Sequence, residues 1–476
     1  MVAEVKTSIH SNRIADLDAK IVSLNEKRNN FTVARLTTLI VGFIGCFLTW
    51  DLSIYYVIGV INLVIIAFVT VSYSETKINN KITFLKKRKE VFELENQLHN
   101  RNFDGLDEGK EFIIPLHNFS HDLDIFGYKS IFQLLNRTST HKGKQILGKW
   151  LNNPLIKPDK IKNKQEAIKE LASKDEWCYK FLAFGRSSND KSETQETINK
   201  WLNEKDLCST PFLRVIGILL PLITIALGVG FLLGLFGKSY FIYAFLIQLG
   251  ISGKFAGKIT KVQSRLGSRF AIIENYIKIV RSIENEDFQS NYLLTLKRIF
   301  VDKEKNFSVT QTLNRLKKLL DKLDARLNIY LAILLNGLLL WDINTTAQIE
   351  NWKRKNKENL IKWMNAVGEI DALISLALFA ANHRNYVYPQ VTLEKRVLHL
   401  ENAGHPLIEE EKLIKNDYYQ DGEAKVDLLT GANMAGKSTF LRTVGVNLIL
   451  ARIGAPVCAN KFIFSPLKLF SSLRTV

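Results

Sequence analysis

The chain has 476 residues, 46% of them hydrophobic and 24% charged, and this composition excludes a disordered or low-complexity protein and leaves room for two or three domains. Its 65 lysines and arginines outnumber its 47 aspartates and glutamates, so the formal charge is +18. Such an excess suits nucleic acid or an anionic membrane surface, although positive-inside loops alone would also give it. The four cysteines are scattered with no CxxC pair, which excludes a disulfide framework and a zinc site built on cysteines.

The first apolar segment predicts a transmembrane hairpin over residues 35–74. Leu36–Trp50 and Leu52–Tyr73 are apolar arms on either side of a single charge, Asp51. Each arm approaches the roughly 20 residues that a helix needs to cross the hydrocarbon core, where the backbone must satisfy its own hydrogen bonds. The alternative is a pair of buried core helices in a soluble protein.

The stretches around this hairpin are predicted to be helical, as an N-terminal amphipathic helix over residues 1–34 and a helical connector over 75–112. Apolar side chains recur there at heptad spacing, at Ile14, Leu17, Ile21 and Leu24 before the hairpin and at Ile78, Ile82 and Leu85 after it. They predict an antiparallel pair that continues the hairpin or, alternatively, a coiled coil that binds a partner.

A second transmembrane hairpin is predicted over residues 212–253. Val215–Phe236 carries no charge, Gly237-Lys238 supplies a turn, and Tyr240–Gly253 is a shorter apolar return arm, with a soluble core pair again as the alternative. Lysines and arginines flank both hairpins on the sides away from their tips. The positive-inside rule therefore predicts a protein of the inner (cytoplasmic) membrane, with both termini and its soluble domains in the cytoplasm.

The rest of the chain before the C-terminal region is predicted to be helical. Residues 113–205 form the first part of a helical core, and residues 254–400 form a helical lever and the second part of the core. We expect Ile329–Trp341 to be a core helix, because it is too short to span a bilayer, and Ala366–Ala381 to be another. Beta structure is expected after Pro389, where short β-branched runs appear.

A phosphate-binding loop follows a predicted strand at Val426–Thr430. It reads G-A-N-M-A-G-K-S, the pattern G-x4-G-K-S, and leads into helical sequence. The glycines let successive backbone N–H groups face phosphate oxygens, the helix N-terminus adds its dipole, Lys437 reaches the β- and γ-phosphates, and the Ser438 hydroxyl is the candidate Mg²⁺ ligand. The predicted site for ATP and Mg²⁺ comprises Gly431, Ala432, Asn433, Met434, Ala435, Gly436, Lys437, Ser438 and Thr439.

The P-loop and its surroundings resemble the MutS family. Thr430–Arg442 is similar to that family's own loop, T-G-x-N-M-x-G-K-S-T, in which the Asn433-Met434 pair is distinctive. Ala451–Val457 resembles the family's segment after the P-loop helix. Gly404–Ile408 and Lys415–Asp417 are similar to the H-P and N-D motifs that open its ATPase domain, which here covers residues 401–476.

The resemblance also assigns residues for the adenine. Apolar residues just before the N-D motif pack on the adenine in that family, which implies this role for Leu413 and Ile414. Ordinary strand core is the alternative for both side chains.

The helical segments resemble the same family. Ser130–Thr140, followed by Trp150–Leu155, looks like the start of the MutS core domain, and Glu369–Ala377 looks like its closing helix. The implied fold is mainly α, a MutS-like helical core with transmembrane helical hairpins, plus an incomplete C-terminal α/β P-loop ATPase domain.

Three features depart from the family. The sequence stops at Val476 without the acidic strand that holds Mg²⁺ and positions water, so we assign no catalytic residue, expect no ATP hydrolysis from this chain alone, and interpret it as a fragment or a truncated gene model. No Phe-x-Glu triplet of the mismatch-reading domain occurs, which argues against recognition of mispaired bases. Membrane hairpins are foreign to the soluble repair enzymes.

The resemblance implies a membrane-anchored protein of the MutS-like DNA mismatch repair family, with ATP and Mg²⁺ as cofactors. Duplex or branched DNA and the lipid bilayer are the expected partners, and the family implies a homodimer formed through the ATPase domains. The alternative is a membrane-attached nucleotide-dependent switch or scaffold without a DNA role. The Asn433-Met434 pair and the helical core argue against a third class, a transporter ATPase.

Overall fold

The computed structural model describes residues 2–187, 192–267, 270–302, 304, 306–394, 396–422, 426–432 and 436–473. The fold is mainly α, as predicted, and it divides into two compact units. The first unit comprises residues 1–137, 147–187 and 374–476, and the second comprises residues 138–146 and 188–373.

Two long helices dominate the first unit, α1 (Val2–Thr49) and α2 (Ile54–His99). The turn between them contains Asp51, as predicted, and Ser53 begins α2 by accepting a hydrogen bond from the backbone N–H of Tyr55. The predicted boundaries at residues 34 and 74 fall inside these continuous helices.

α1 and α2 pack against each other as an antiparallel pair. Near the turn, a β-carbon on Gly42 would collide with the Val64 side chain, so the helices approach closely there. Further from the turn, Lys89 donates to Asp18 at 2.7 Å. Four of the seven predicted heptad positions are buried, namely Leu17, Ile21, Ile82 and Leu85, and the other three, Ile14, Leu24 and Ile78, are half-buried.

The remaining elements are all shorter, and α14 and α9 are the longest of them. The helices are α3 (Ile131–Leu135), α4 (His141–Asn152), α5 (Pro158–Ser173), α6 (Asp175–Ser187), α7 (Ser192–Asn203), α8 (Pro211–Leu232), α9 (Lys238–Gly267), α10 (Phe270–Asn285), α11 (Asn291–Lys297), α12 (Val309–Asp324), α13 (Ile329–Leu339), α14 (Trp341–Asn382) and α15 (Lys437–Ile453). The strands are β1 (Val301–Asp302), β2 (Phe307–Ser308), β3 (Gln390–Val391), β4 (Leu398–Ala403), β5 (Asn416–Gln420) and β6 (Lys461–Phe464).

The strands form two separate sheets. In the first unit the order is β3-β6-β4-β5, with β3 parallel to β6 and β4 antiparallel to both of its neighbours. In the second unit β1 and β2 form a small antiparallel hairpin that the sequence did not predict. With two residues in each strand, this hairpin leaves no alternation of apolar and polar residues to detect.

Four helices among the described residues are long and apolar enough to cross a membrane by length and composition. In α1, α2 and α8, only 6%, 6% and 22% of the most apolar window is buried. In α14 the corresponding share is 83%, and most residues between Ala366 and Ala380 are buried. The apolar end of α14 is therefore core, as predicted, whereas the other three helices expose their apolar side chains.

The prediction of a core helix at Ile329–Trp341 is wrong, because α13 is shorter and partly exposed. It ends at Leu339, packs beside α8 and α9, and leaves Tyr330 and Leu334 83% and 51% exposed. A helix that is apolar all round has no polar face from which its buried side can be read, so its sequence does not distinguish full from one-sided burial.

Candidate functional site

The start of α15 has the geometry of an anion-binding helix N-terminus. Gly436 has a φ of 85°, a left-handed conformation that a residue with a β-carbon disfavours, and among the described residues no side chain caps the helix. The first helical hydrogen bond runs from Phe440 N to Gly436 O at 2.9 Å. The preceding amides of the helix have no acceptor within it, and the aligned peptide dipoles make this end partially positive.

Lys437 folds back over the loop that precedes it. Its Nζ donates to the carbonyl oxygens of Gly431 at 2.5 Å and of Ala432 at 2.7 Å. An ammonium group has three donors and gains more from an anionic oxygen than from a carbonyl. Phosphate oxygens at the helix start would therefore compete for this lysine with the carbonyls that now hold it.

The other predicted contacts of the loop divide into described and undescribed residues. Ser438 and Thr439 lie in the exposed first turn of α15. Asn433, Met434 and Ala435 lie outside the described residues. Within the described ranges, no group of three or more His, Cys, Asp and Glu side chains is placed to hold a metal ion. The predicted Mg²⁺ ligand, the Ser438 hydroxyl, is exposed at this helix start.

The predicted strand at Val426–Thr430 is wrong in this structure. The segment has no regular secondary structure, and Val426 and Leu428 are 97% and 87% exposed. A strand requires a neighbour that pairs with its backbone, and no described strand of the sheet β3-β6-β4-β5 pairs with this segment. Its apolar sequence therefore remains uncovered.

Tyr418 on β5 connects this segment to α15, a role that the sequence did not indicate. Its hydroxyl donates to Asp427 Oδ2 at 2.6 Å, and its ring centroid lies 6.2 Å from that of Phe440. Burial, together with the hydrogen bond to Asp427, raises the pKa of Tyr418 to about 12. The phenol therefore stays protonated and keeps donating at physiological pH.

The two residues expected at the adenine lie in different environments. Leu413 packs against Gly404, where a β-carbon would collide with the leucine side chain, whereas Ile414 is 81% exposed. Both precede β5, which reaches α15 through Tyr418. Leu413 is thus partly used in packing the H-P segment, and Ile414 remains available to a ligand.

His405, in the H-P segment, is buried and neutral. Burial and, to a smaller extent, the nearby positive charge of Arg442 together lower its pKa to about 4. Its Nδ1 accepts a hydrogen bond from the backbone N–H of Leu407 at 3.3 Å. This acceptor role requires an unprotonated Nδ1, so the histidine orders the segment beside Leu413 only while it is neutral.

Two arginines anchor α15 to the helical part of the first unit. Near the P-loop, Arg442 Nε donates to the carbonyl of Asp122 at 2.9 Å, and Arg442 Nη1 lies 3.3 Å from Asp124 Oδ2. At the other end, Arg452 donates to the carbonyls of Leu155 and Pro154 at 2.9 and 2.8 Å. Sequence periodicity could not have identified these contacts, because their partners are about 300 residues away in the chain.

An asparagine inside α15 joins the same helix to the sheet region. Asn447 is fully buried; its Nδ2 donates to the Gly404 carbonyl at 2.9 Å and its Oδ1 accepts from Cys458 N at 2.9 Å. The helix that starts at the P-loop is therefore held by contacts to both the helical part and the sheet region of the first unit.

Two regions of the chain match known protein families, one in the helical core and one that contains α15. Residues 115–210 match the model of MutS domain III, and residues 427–473 match the model of MutS domain V. A DNA mismatch repair protein MutS of Thermotoga maritima is 24% identical over 378 residues, which cover 70% of this chain and 44% of that protein.

Shorter matches are closer in sequence. The DNA mismatch repair protein MutS of Staphylococcus epidermidis is 41% identical over 104 residues, which cover 21% of this chain and 12% of that protein. The protein of the same name from Protochlamydia amoebophila is 42% identical over 109 residues, with shares of 22% and 12%. In each case the chain spans less than half the length of the relative it matches. The matches to domains III and V and to these relatives support a MutS-family protein, over part of the chain.

Proposed function

We propose that the chain is a membrane-anchored MutS-family protein that binds ATP and Mg²⁺ at the start of α15 and transmits this binding to its helical core. The observation that carries the proposal is the pairing of an uncapped helix N-terminus behind Gly436 with Lys437, whose ammonium is held only by the loop carbonyls of Gly431 and Ala432 among the described residues. The match of residues 427–473 to MutS domain V supports it.

In this proposal each described residue of the loop has one task. The amides at the start of α15 bind phosphate oxygens, Lys437 moves from the carbonyls to the β- and γ-phosphates, and Ser438 ligates Mg²⁺. Ile414 offers exposed apolar surface for the adenine. Mg²⁺, when bound, supplies positive charge that neutralises the phosphates. No hydrolysis is proposed for the residues of this chain alone.

Membrane attachment is the second part of the proposal. α1 and α2 form one hairpin and α8 and α9 another, and three of these helices expose apolar windows of spanning length. Exposure of so much apolar surface to water is unfavourable, and insertion into a bilayer removes that surface from water. The positive-inside rule orients both hairpins with their loops away from the cytoplasm.

DNA contact and dimerisation through the ATPase domains are the third part. They are supported by the domain III match, by the names of the relatives and by the charge of +18. A nucleotide-dependent switch or scaffold without a DNA role is the competing function. Retention of the full chain on duplex DNA that persists at physiological salt supports the DNA role, whereas a charge of +18 alone gives retention only at low salt.

Nucleotide binding is tested with the full chain in detergent micelles, titrated with a fluorescent ATP analogue in the presence and absence of Mg²⁺. We expect Lys437→Ala to weaken binding at least about tenfold, because it removes a charge-assisted contact to phosphate. Lys200→Ala is the matched control: it removes the same charge from a side chain that is 75% exposed and lies 3.6 Å from Glu196. Equal affinities of Lys437→Ala and the unaltered chain would contradict the assignment.

Membrane attachment is tested separately by fractionation. The chain should sediment with membranes and resist extraction by alkaline carbonate, since two helical hairpins are held by the hydrophobic effect and not by surface charge. Recovery of the chain in the carbonate supernatant would exclude the hairpins as membrane spans while leaving the nucleotide proposal untouched.

A further inference from the structure

The helix α13 is an apolar element in the second unit that neither the nucleotide site nor the two hairpins explain. Its sequence, I-Y-L-A-I-L-L-N-G-L-L, carries no charge. Several of its large side chains are exposed, together with Leu327 just before it. Such a continuous exposed apolar surface is uncommon on a soluble protein and marks a surface that something covers.

α13 runs antiparallel to α9. Before its start, Arg326 Nη2 donates to Thr260 Oγ1 at 3.1 Å, and Gln263 Nε2 donates to Asp324 Oδ1 at 2.7 Å. Near its end, Gly337 packs on the ring of Phe245, which a β-carbon at that position would overlap. Residue numbers thus rise along α13 while they fall along α9.

This alignment fixes how far α13 extends along the second hairpin. Lys254 is the first cation after the apolar arm of α9, and Phe245 precedes it by nine residues. At about 1.5 Å per helical residue, the end of α13 lies about 14 Å beyond Lys254, close to half of a hydrocarbon core about 30 Å thick. With 11 residues, α13 is about 16 Å long and cannot cross that core.

The turn at the end of α13 is built to lie away from water. Leu340 adopts a left-handed conformation with a φ of 47° and is fully buried, and α14 starts at the next residue. Asn336 Oδ1 accepts from the backbone N–H of Asp342 at 2.9 Å, and Asn344 Nδ2 donates to the carbonyl of Leu339 at 2.9 Å. A broken helix at membrane depth requires such internal partners for its backbone.

The charges near this turn are also paired inside the protein. Asp342 is 2% exposed and lies 3.2 Å from Arg326 Nε, at the base of α13. A paired and protein-covered ion is far less costly near a bilayer than an isolated one. The exposed face of α13 itself carries only apolar side chains and a tyrosine.

We propose that α13 is a re-entrant membrane segment, which enters the bilayer beside α8 and α9 to about half its depth and returns at Leu340. The inference rests on the proposed membrane attachment of the second hairpin. The occupant of the exposed face is lipid hydrocarbon, because α13 continues the apolar surface of α8 and α9. Three helices of the second unit, α8, α9 and α13, therefore insert into the membrane.

The test uses nitroxide labels on single accessible cysteines in the full chain, reconstituted in phospholipid vesicles, while the buried Cys178, Cys208 and Cys458 are kept. Cys46, the native cysteine that is not buried, is changed to Ala in every variant. Leu334→Cys reports on α13, and Leu222→Cys on α8 is its matched control, since the two side chains are 51% and 59% exposed. Tyr330→Cys labels the start of α13, and Leu393→Cys, at an 86% exposed leucine of the first unit, calibrates water.

The measurement is the collision rate of each nitroxide with oxygen, which concentrates in lipid, and with a water-soluble nickel complex. We expect the Leu334→Cys label to favour oxygen over nickel about as strongly as the Leu222→Cys label, and the Tyr330→Cys label to lie at a shallower depth. A lipid-exposed Leu222→Cys label with a nickel-exposed Leu334→Cys label overturns the inference and leaves the hairpin standing.

Two further outcomes are decisive. Spin–spin broadening of the Leu334→Cys label that disappears on dilution with unlabelled chain shows that a second copy covers α13, which also overturns the inference. A nickel-exposed Leu222→Cys label removes the membrane attachment of the hairpin, and the inference falls with it. The failure of the inference and that of the proposed function are therefore distinguishable.

Discussion

Asn344, at the start of α14, donates its side-chain Nδ2–H to the backbone carbonyl of Gly217 in α8 at 2.8 Å. That carbonyl lacks its helical partner, because the residue four positions later is Pro221, which has no N–H. A β-carbon on Gly217 would collide with the Asn344 side chain, so glycine permits the approach. Asn344 thus supplies the hydrogen-bond donor that Pro221 lacks in α8. The same side chain connects the end of α13 to the second hairpin.

The first prediction concerns this hydrogen bond. Asn344→Ala should lower the free energy of unfolding by about 1–3 kcal/mol, because it leaves a buried carbonyl without a donor. Asn356→Ala is the control: Asn356 lies on the same helix but bonds only to the Trp352 carbonyl of its own turn among the described partners, so its loss should cost less. Thermal unfolding in detergent measures both variants.

A double-mutant cycle isolates the interaction from other effects of Asn344→Ala. Pro221→Ala restores an N–H that can bond to the Gly217 carbonyl within α8. In that background Asn344→Ala should cost measurably less than in the unaltered chain. Equal costs in the two backgrounds would show that Asn344 does not act through this carbonyl.

The second prediction concerns a buried ion pair that attaches α2 to the helical core. Glu95 and Arg137 are each 1% exposed, and Arg137 Nε and Nη2 donate to Glu95 Oε1 and Oε2 at 2.8 and 3.1 Å. Arg137 also donates to the carbonyl of Leu134 at 2.8 Å, and its own N–H donates to the Ser375 hydroxyl. The ion pair therefore attaches the hairpin helix α2 to the helical core of the first unit.

Glu95→Ala should destabilise the first unit by about 3–5 kcal/mol, because it leaves the Arg137 guanidinium buried without its carboxylate. Asp16→Ala serves as the control, since it removes a carboxylate from the exposed pair that Asp16 forms with Lys20 and should cost under about 1 kcal/mol. Chemical denaturation followed by tryptophan fluorescence gives both values. A loss for Glu95→Ala no larger than that for Asp16→Ala would refute the role given to the pair.

Local sequence signals predicted the elements whose evidence is itself local. The turn near Asp51, the helical hairpins and the core helix ending near Ala381 follow from uninterrupted apolar runs and from turn residues within them. For three features the outcome depends on residues distant in the chain, and the sequence either missed the feature or predicted it wrongly. The segment Val426–Thr430 has no described strand beside it, α13 is buried on one side only, and Arg442 finds its partners in the helical core.

The third prediction concerns the connection between the nucleotide site and the core. Arg442 lies in the second turn of α15 and joins it to Asp122 and Asp124. ATP bound at the start of α15 should slow hydrogen exchange in the segment around these aspartates, and Arg442→Ala should abolish this protection while leaving ATP affinity nearly unchanged. Mass spectrometry of exchange with and without ATP measures it.

Arg452→Ala is the matched control for that experiment. It removes an equivalent arginine from the far end of α15, where the partners are the carbonyls of Pro154 and Leu155. We expect it to lower stability but to retain the protection around Asp122. If the protection survives Arg442→Ala as fully as it survives Arg452→Ala, the signal reaches the core by another route.

The fourth prediction concerns acid sensitivity at His405. Burial, assisted by Arg442, lowers its pKa from 6.5 to about 4, so the unfolded chain binds a proton in this range that the folded chain does not. The contribution of the neutral histidine to the free energy of unfolding is fully present above pH 6.5, and it is lost progressively as the pH falls toward 4. The full loss is about 3 kcal/mol, from about 1.4 kcal/mol for each pKa unit.

His405→Gln should flatten this part of the profile, because glutamine does not titrate and its amide oxygen can still accept from Leu407 N. His121→Gln, at an exposed histidine, should leave the profile unchanged. Unfolding midpoints between pH 7 and pH 4 provide the comparison. Parallel profiles for His405→Gln and the unaltered chain would show that acid destabilises the H-P segment through another group, and the buried neutral histidine would then have no part in holding Leu413 beside the nucleotide site.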